Sequence, residues 1–201
     1  MARSREFDED FVLDRARDLF WEKGYHATSI QDLEAYLGLS RSNLYRFFGG
    51  KRELYDLTLA RYRDANLAFL HRELDTEGPL RPRLIELFSA TARQQFPECS
   101  TGARGCYMVN ATTEMANTCS RASSFVARNR KIFVRSMAGV FARARARGEI
   151  QPTADPTELA NFLFLAYNGL QVVVQTGIIR PTLVKTVKRS IDALPWVTAV
   201  D

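Results

Sequence analysis

The chain has 201 residues, of which 46% are hydrophobic and 25% are charged, so its composition is that of a folded globular protein rather than a disordered one. Its formal net charge of +5 favours a polyanionic partner. Three cysteines and two histidines, without the spacing of zinc ligands, argue against a disulfide scaffold and a structural metal site, and we expect no cofactor.

Neither the N-terminus nor the interior of the chain predicts contact with a membrane. No apolar run follows the basic residues at the start, so no signal peptide is expected. The most apolar stretch, Leu159 to Val174, is shorter than a membrane span and contains Asn161, Asn168 and Gln171. We therefore predict a buried helix there and a cytoplasmic protein.

The first 50 residues have the pattern of three short helices. Helix one contains apolar residues at helical spacing, including Phe11, and ends at Gly24. Thr28, with Gln31 three residues later, predicts the N-cap of a second helix that ends at Gly38. Ser40 predicts the next N-cap. The link between helices two and three is too short for an antiparallel pair, so a helix-turn-helix is predicted.

Further helices are expected along the rest of the chain. Glycine and proline residues separate these segments, and Asp155-Pro156-Thr157-Glu158 is a strong helix start. The predicted helices cover 51 to about 75, 84–96, 106 to about 117, 121–147, 156–177 and 181–194. The predicted fold is all-α with about nine helices, comprising a helix-turn-helix domain at 1–50 and a linking, sensing and dimerisation domain at 51–201.

The third helix predicts a DNA-reading surface. Leu44 and Phe47 are expected to face inward, which leaves hydrogen-bonding side chains outward. The N-termini of helices two and three and the amino group of Lys51 are suited to backbone phosphates. The candidate DNA-binding residues are Thr28, Ser29, Ser40, Arg41, Ser42, Asn43, Tyr45, Arg46 and Lys51.

The segment from Gly24 to Leu54 resembles the DNA-binding domain of the TetR/AcrR family. The matching runs are Gly-Tyr-His-Ala-Thr-Ser-Ile-Gln-Asp-Leu, Leu-Gly-Leu-Ser-Arg-Ser-Asn-Leu-Tyr-Arg-Phe-Phe and Lys-Arg-Glu-Leu. The resemblance implies that the same candidate residues apart from Ser40 touch DNA and that the last two helices form a four-helix dimer interface. This chain departs from the family at Glu34, where a small residue is usual, and at Ser42, where glycine is common.

The predicted helix around residues 158–176 is apolar nearly all round, which is more than one buried face in a monomer needs. We assign the surplus apolar residues to contact with a second copy of the chain. Two helix-turn-helix domains on a two-fold axis would read two half-sites about one DNA turn apart. The alternative is a fully intramolecular core. The candidate dimer residues are Phe162, Leu165, Leu170, Val173, Val184 and Ile191.

The body of the protein is expected to sense a ligand or an oxidant. The run Gly105-Cys106-Tyr107-Met108-Val109-Asn110 resembles a branch of the same family that includes redox and electrophile sensors of the NemR kind. Cys106 near a helix N-terminus and beside Arg104 would favour the thiolate, with Cys99 as a resolving thiol. The alternative is that Cys106 only packs the core, as most aromatic rings do. The candidate sensing residues are Cys106, Cys99, Tyr107, Asn110, Phe69, Phe88, Phe125, Tyr167 and Gln171, with Asn168 as a further polar anchor.

The sequence thus predicts a sequence-specific regulator that represses transcription from a palindromic operator and is released by a small molecule or an oxidative signal. An activator with the same head and a helical small-molecule-binding protein without an operator are the alternatives. An enzyme is not expected, because His26 and His71 have no nucleophile or carboxylate that the sequence places beside them.

Overall fold

A computed structural model describes residues 8–93, 105–116 and 120–197, and within these ranges the chain forms nine α-helices, which confirms the predicted all-α fold. The helices are α1 (Glu9–Lys23), α2 (Ile30–Leu37), α3 (Arg41–Phe48), α4 (Lys51–Leu74), α5 (Leu80–Arg93), α6 (Tyr107–Met115), α7 (Ser120–Ala146), α8 (Pro156–Val173) and α9 (Arg180–Asp192). In the described part of the chain, no helix is both long enough and apolar enough to cross a membrane.

Two predicted helix starts are wrong. Ser29, not Thr28, caps α2: its hydroxyl accepts from the N–H of Asp32, whose carboxylate accepts from the Ser29 N–H. Helix α5 begins at Leu80 rather than Leu84, with Pro82 in its first turn. Proline is tolerated there because the N–H groups of the first turn have no partner within the helix.

Two hydrophobic cores share α4. Its N-terminal half, including Leu54 and Leu59, packs against α1–α3 in the first core. Its C-terminal half, including Leu70 and Leu74, packs against α5, α7, α8 and α9 in the second. We call α1–α3 with the N-terminal half of α4 the head and the remaining helices the body; the first core is the head core and the second the body core. They meet within α4 rather than at residue 50.

Helix α6 joins the head core although it lies far along the chain. The Tyr107 ring packs edge-on against Tyr55, at a centroid distance of 5.9 Å, and against Tyr62, at 5.7 Å. Its hydroxyl is 2.9 Å from the Thr58 hydroxyl, and the Tyr107 side chain is 1% exposed. The head is therefore closed on one side by α6.

Two large apolar residues, one in α1 and one in α4, are exposed. Phe11 is 56% exposed, and its ring lies 5.6 Å from the guanidinium of Arg15. Leu57, in α4, is 43% exposed. Their neighbours in the helices, Val12 and Thr58, take the buried positions. Neighbouring positions on a helix point about 100° apart, so burial of Val12 and Thr58 turns Phe11 and Leu57 toward solvent.

Candidate nucleic-acid interface

The turn between α2 and α3 is built around Gly38. This residue caps α2 with φ +68°, a left-handed conformation that other residues adopt at a cost, and nothing lies within 4 Å of the position a Cβ would take. Ser40 then caps α3 by accepting from the N–H of Asn43 at 3.3 Å. These two caps end α2 and begin α3 within the short turn of the predicted helix-turn-helix.

Helix α3 is anchored by Leu44 and Phe48, which are 0% and 4% exposed. The predicted inward position of Phe47 is wrong: Phe47 is 45% exposed. Leu44 and Phe48 are four residues apart and so lie on one face of the helix, whereas Phe47 lies at the edge of that face. The Arg46 guanidinium lies 5.3 Å from the centroid of the Phe47 ring.

The outer face of α3 presents polar and aromatic side chains to solvent. Tyr45 is 47% exposed, and the guanidinium of Arg41 lies 5.8 Å from its ring. Ser42 and Arg46 are exposed and Asn43 is half-buried. Long donors held beside aromatic rings lose less side-chain freedom when they bind, and their N–H groups match the acceptors of guanine and phosphate. The face can therefore contact base edges in a groove.

Both helix N-termini already have an acidic partner. In addition to the cap on α2, the Glu34 carboxylate accepts from the Arg41 N–H at 2.6 Å. Lys23 bonds the Asp32 carboxylate at 2.7 Å, and with Ser29 it holds the pKa of Asp32 well below its usual range. An anion at either N-terminus would compete with these carboxylates.

The residues predicted to hold phosphates therefore differ in their surroundings. Thr28 is 0% exposed, and its hydroxyl donates to the Gly24 carbonyl at 2.6 Å, so its side chain faces the core and not a ligand. Ser29 and Ser40 are exposed. The Lys51 amino group lies 4.3 Å from the centroid of the Tyr25 ring, and partial burial lowers the pKa of Lys51.

A contact that the sequence did not predict holds the turn between α1 and α2. The carboxylate of Glu114, in α6, accepts from the backbone N–H of Tyr25 at 3.0 Å and of His26 at 2.8 Å. Its oxygens lie 3.1 and 3.2 Å from the position a Cβ would take on Gly24. Nothing in the local pattern pairs residues that are 89 positions apart. The head is thus tied to α6 by one side chain and two main-chain donors.

A cleft opens between α4, α6, α7 and α8 in the body. It holds about 580 Å³ of empty space, part of it open to solvent. Of the candidate sensing residues, Cys106 and Tyr167 line it, as does Asn168. Six others do not line it. Tyr107 and Phe88 are buried in the two cores, Gln171 is also buried, and Asn110 and Phe69 are half-buried. Phe125 packs against the head core instead.

The predicted thiolate at Cys106 is wrong. The side chain is 2% exposed, and burial raises the pKa of the Cys106 thiol above its ordinary value. The Tyr62 hydroxyl donates to its sulfur at 3.5 Å. The proposed resolving residue, Cys99, lies outside the described residues. A buried neutral thiol packs as a small apolar group, so the geometry favours a packing role for Cys106.

The predicted dimer residues divide into two groups. Leu165 is 72% exposed, Phe162 is 38% exposed, and Val173 and Val184 are half-buried. Leu170 and Ile191 are 5% and 0% exposed and belong to the body core, so these two assignments to a partner surface are wrong. The residues of α8 that face α5 and α7 pack within the chain, whereas the side chain of Leu165 remains exposed to solvent.

The structure brings together a serine, a histidine and a carboxylate that the sequence did not pair. Both ring nitrogens of His71 are engaged: Nδ1 lies 2.7 Å from the Asp75 carboxylate, and Nε2 bonds the Ser136 hydroxyl. Arg143 bonds the other oxygen of Asp75. Ser136 lies in the middle of α7, where neighbouring N–H groups bond within the helix and cannot stabilise an oxyanion. The set therefore fastens α4 to α7.

The sequence matches two family profiles. Residues 12–57 match the family described as bacterial regulatory proteins, tetR family, and residues 81–176 match the tetracyclin repressor-like C-terminal domain. The HTH-type transcriptional repressor ComR of Escherichia coli (strain K12) is 32% identical over 177 residues, covering 88% of this chain and 83% of ComR. The HTH-type transcriptional regulator YezE of Bacillus subtilis (strain 168) is 30% identical over 165 residues, covering 81% of this chain and 84% of YezE.

Solved structures share the fold over nearly the whole chain. A cysteine-substituted variant of the TetR family transcriptional regulator CifR, complexed with 26-base-pair operator DNA, matches with a TM-score of 0.80 at 27% identity, covering 96% of this chain and 100% of CifR. The reduced form of NemR from E. coli matches with a TM-score of 0.81 at 16% identity, covering 95% of this chain and 98% of NemR. The NemR match concerns the fold alone.

Proposed function

Because the chain belongs to the TetR family of bacterial regulatory proteins, we propose that it works as a homodimer that leaves a palindromic operator when a small molecule occupies the cleft of the body. The chain is a sequence-specific DNA-binding regulator and a repressor of transcription. What we propose beyond that function is the homodimer, the palindromic operator and the release from DNA by a small molecule.

The observation that carries the proposal is the outer face of α3. Arg41, Ser42, Tyr45 and Arg46 are all exposed on a short helix that two caps hold in place behind a tight turn. In a helix-turn-helix, the second helix enters the major groove with its N-terminal residues on base edges. We assign base reading to Arg41 and Asn43, since guanidinium and carboxamide groups recognise guanine and adenine by paired hydrogen bonds.

Phosphate binding is assigned to two exposed serines and the half-buried Lys51 around the same helices. Ser29 and Ser40 present hydroxyls at the helix N-termini, and Lys51 presents its amino group at the start of α4. Tyr45 and Arg46 lie further along α3 and complete the contact. For Thr28 we keep only a positioning role, because its hydroxyl bonds Gly24.

Dimerisation is supported by the exposed apolar residues of α8. Leu165, Phe162 and Val172 are 72%, 38% and 45% exposed. Isolated exposed apolar residues are ordinary, but three on one helix that also carries the half-buried Val173 form a patch that a partner would cover. We assign the half-buried Val184 of α9 to the same interface. Two copies on a two-fold axis would hold their α3 helices roughly 35 Å apart, one turn of DNA.

Release is supported by the position of α6. Its Met108, Val109 and Thr112 line the cleft, whereas its Glu114 holds the main chain of Tyr25 and His26 in the head. A molecule that moves this helix in the cleft would move the α1–α2 turn with it. The two states would then differ in the spacing of the two α3 helices. An oxidative signal through Cys106 is less favoured, because the thiol is buried and its pKa is raised.

The test is selection from randomised double-stranded DNA by the purified full-length protein at moderate salt, followed by sequencing of the retained molecules. We expect enrichment of a palindrome whose half-sites are one helical turn apart. The double variant Arg41→Ala, Asn43→Ala is the control and should enrich nothing. If the wild-type protein enriches no sequence, the proposal that it binds an operator is wrong. The alternative, a helical protein that binds a small molecule and has no operator, then gains support.

A reporter gene downstream of the selected palindrome tests the sign of regulation. Lower expression in the presence of the protein is expected, whereas higher expression would identify an activator with the same head. An arrangement of half-sites without two-fold symmetry would contradict the proposed dimer on DNA.

A further inference from the structure

The cleft in the body has an apolar wall. Aromatic and aliphatic side chains from four helices form most of its surface, and none of them is charged. They include Leu67, Val109, Val126, Phe133, Phe164 and Tyr167. The Phe133 ring packs against both Phe164, at a centroid distance of 5.3 Å, and Tyr167, at 6.2 Å. Such a wall removes an apolar ligand from water and gains about 25 cal/mol for each Å² it covers.

The charged side chains in the same cleft all have one sign. Arg63 and Arg130 line it, and no acidic residue is among the lining residues in the described part of the chain. The Arg63 side chain is 19% exposed, and its Nη1 donates to the Asn129 Oδ1 at 3.2 Å. Its Nε donates to Asp64, which is 65% exposed and does not line the cleft. A cation in apolar surroundings attracts an anion more strongly than it would in water.

Asn129 places an amide donor with a weak acceptor beside Arg63. It is 7% exposed, and its Nδ2 donates to the thioether sulfur of Met108 at 3.1 Å. A thioether is a weak acceptor, so a nearly buried amide donor beside a guanidinium gains by exchanging it for a carboxylate oxygen. The two donors, Arg63 and Asn129, are already fixed side by side by their mutual hydrogen bond.

We propose that the effector is an apolar molecule with a single carboxylate, which Arg63 and Asn129 bind while its hydrocarbon or aromatic part packs against Phe133, Phe164 and Tyr167. That this ligand releases DNA depends on the proposed function, but its binding to the cleft does not. A cationic ligand would meet two guanidinium groups in a cleft whose described lining contains no acid, and a neutral one would form no charge-assisted pair with Arg63.

The experiment uses matched pairs of probes on the full-length protein. The carboxylates are 2-naphthoate and octanoate, and the controls are 2-naphthamide and octanamide, which have nearly the same shape without the charge. Titration calorimetry and thermal unfolding measure binding without DNA. At least one acid should bind ten times more tightly than its amide and raise Tm. If an amide binds as well as its acid, or if neither acid binds, the proposed ligand class is wrong.

Two variants locate the carboxylate. Arg63→Met keeps the aliphatic stem but removes the charge, and Asn129→Asp places a carboxylate of the protein's own beside Arg63. Both should lower the affinity for the acid to that of its amide, and Asn129→Asp should stay folded because Arg63 compensates its charge. Arg72→Met, on the same helix but 69% exposed and outside the cleft, is the matched control. Unchanged acid binding in both cleft variants would overturn the assignment.

The outcome for the ligand is separable from the outcome for DNA. If the free protein selects an operator but no acid binds, the ligand class fails and the repressor stands. If an acid binds through Arg63 but no operator is selected, the ligand class stands and the proposed operator fails.

Discussion

The carboxylate of Glu114 accepts a hydrogen bond from the backbone N–H of Tyr25 at 3.0 Å, across 89 positions of the chain. A second bond from the next N–H makes the contact bidentate. Main-chain donors cannot rotate away as side chains can, so the orientation of the α1–α2 turn depends directly on the position of α6. The helix that lines the cleft therefore also holds the DNA-binding head.

Replacing Glu114 tests this connection. Glu114→Ala leaves two main-chain N–H groups without their partner, and we expect unfolding free energy to fall by about 1–3 kcal/mol and operator affinity to fall roughly tenfold. Glu114→Gln keeps one accepting oxygen and should have an intermediate effect. Glu86→Ala, at a carboxylate that is 72% exposed in α5, is the control. Urea unfolding and fluorescence anisotropy on the selected operator measure both quantities; equal affinity in all four proteins would contradict the role of Glu114.

Arg41 is expected to read a base. Arg41→Ala should weaken operator binding by about 1–3 kcal/mol, that is roughly 5-fold to 160-fold, while binding to unrelated DNA changes little. The comparison is Arg128→Ala, an exposed arginine of α7 in the body. Anisotropy titrations at several salt concentrations separate base reading from phosphate contact. A loss that is equal on operator and unrelated DNA would assign Arg41 to phosphates instead.

Leu165 should contribute to the dimer without supporting the fold of the monomer. Leu165 is 72% exposed and therefore contributes little to packing of the core. Leu165→Glu should leave helicity and cooperative unfolding intact. Burying the new charge in each half of the interface should weaken dimerisation by about 2 kcal/mol or more, roughly 30-fold. Analytical ultracentrifugation measures the change. Leu57→Glu, at another exposed leucine, should not alter it; an unchanged dimer in Leu165→Glu would remove this residue from the interface.

Cys106 should react slowly. Because burial raises the pKa of its thiol, little thiolate is present at neutral pH, and the side chain is 2% exposed. Iodoacetamide labelling followed by peptide mass spectrometry should show slower modification of Cys106 in the folded protein than in the same protein in urea. The rate in the folded state should rise only at a more alkaline pH than for an ordinary cysteine. Rapid labelling at neutral pH would restore the reactive-thiol hypothesis.

Two glycines with similar backbone conformations separate strain from crowding. Gly105 and Gly148 have φ values of +65° and +77°. A Cβ at Gly148 would meet nothing within 4 Å, whereas at Gly105 it would lie 2.1 Å from the Gln175 Nε2 and 2.9 Å from the Gln171 carbonyl. Gly148→Ala should cost about 1–2 kcal/mol for the left-handed conformation alone, and Gly105→Ala about 1–3 kcal/mol more. Thermal and urea unfolding measure the loss of stability in each variant. Equal losses would mean that Gln171 and Gln175 shift to make room for the new methyl group at position 105.

Features set by neighbouring residues could be predicted from the sequence. Gly38 and Ser40 determine the turn and the third helix through local capping, and both were identified. Where two neighbouring residues have similar chemistry, the prediction selected the wrong one. It chose Thr28 instead of Ser29 as the cap of α2, and Phe47 instead of Phe48 for the buried face of α3. In each case only packing in three dimensions decides which residue is used.

Long-range features could not be predicted. Glu114 lies in a helix without any local sign of its distant partners, and the Arg63–Asn129 pair joins α4 to α7. The surplus of apolar residues in α8 correctly indicated an exposed patch, but Leu170 and Ile191 could be assigned to the core only once α5, α8 and α9 were seen together.

The closure of the head by Tyr107 limits how such a protein can recombine with its relatives. A crossover near Gly50 would join α1–α3 of a relative to α6 of this chain. The rings of Tyr55, Tyr62 and Tyr107 would then pack against side chains of α1–α3 that did not evolve with them. New operators are therefore acquired more easily by point changes on the exposed face of α3 than by exchange of whole segments. A productive graft would have to carry α6 along with the head.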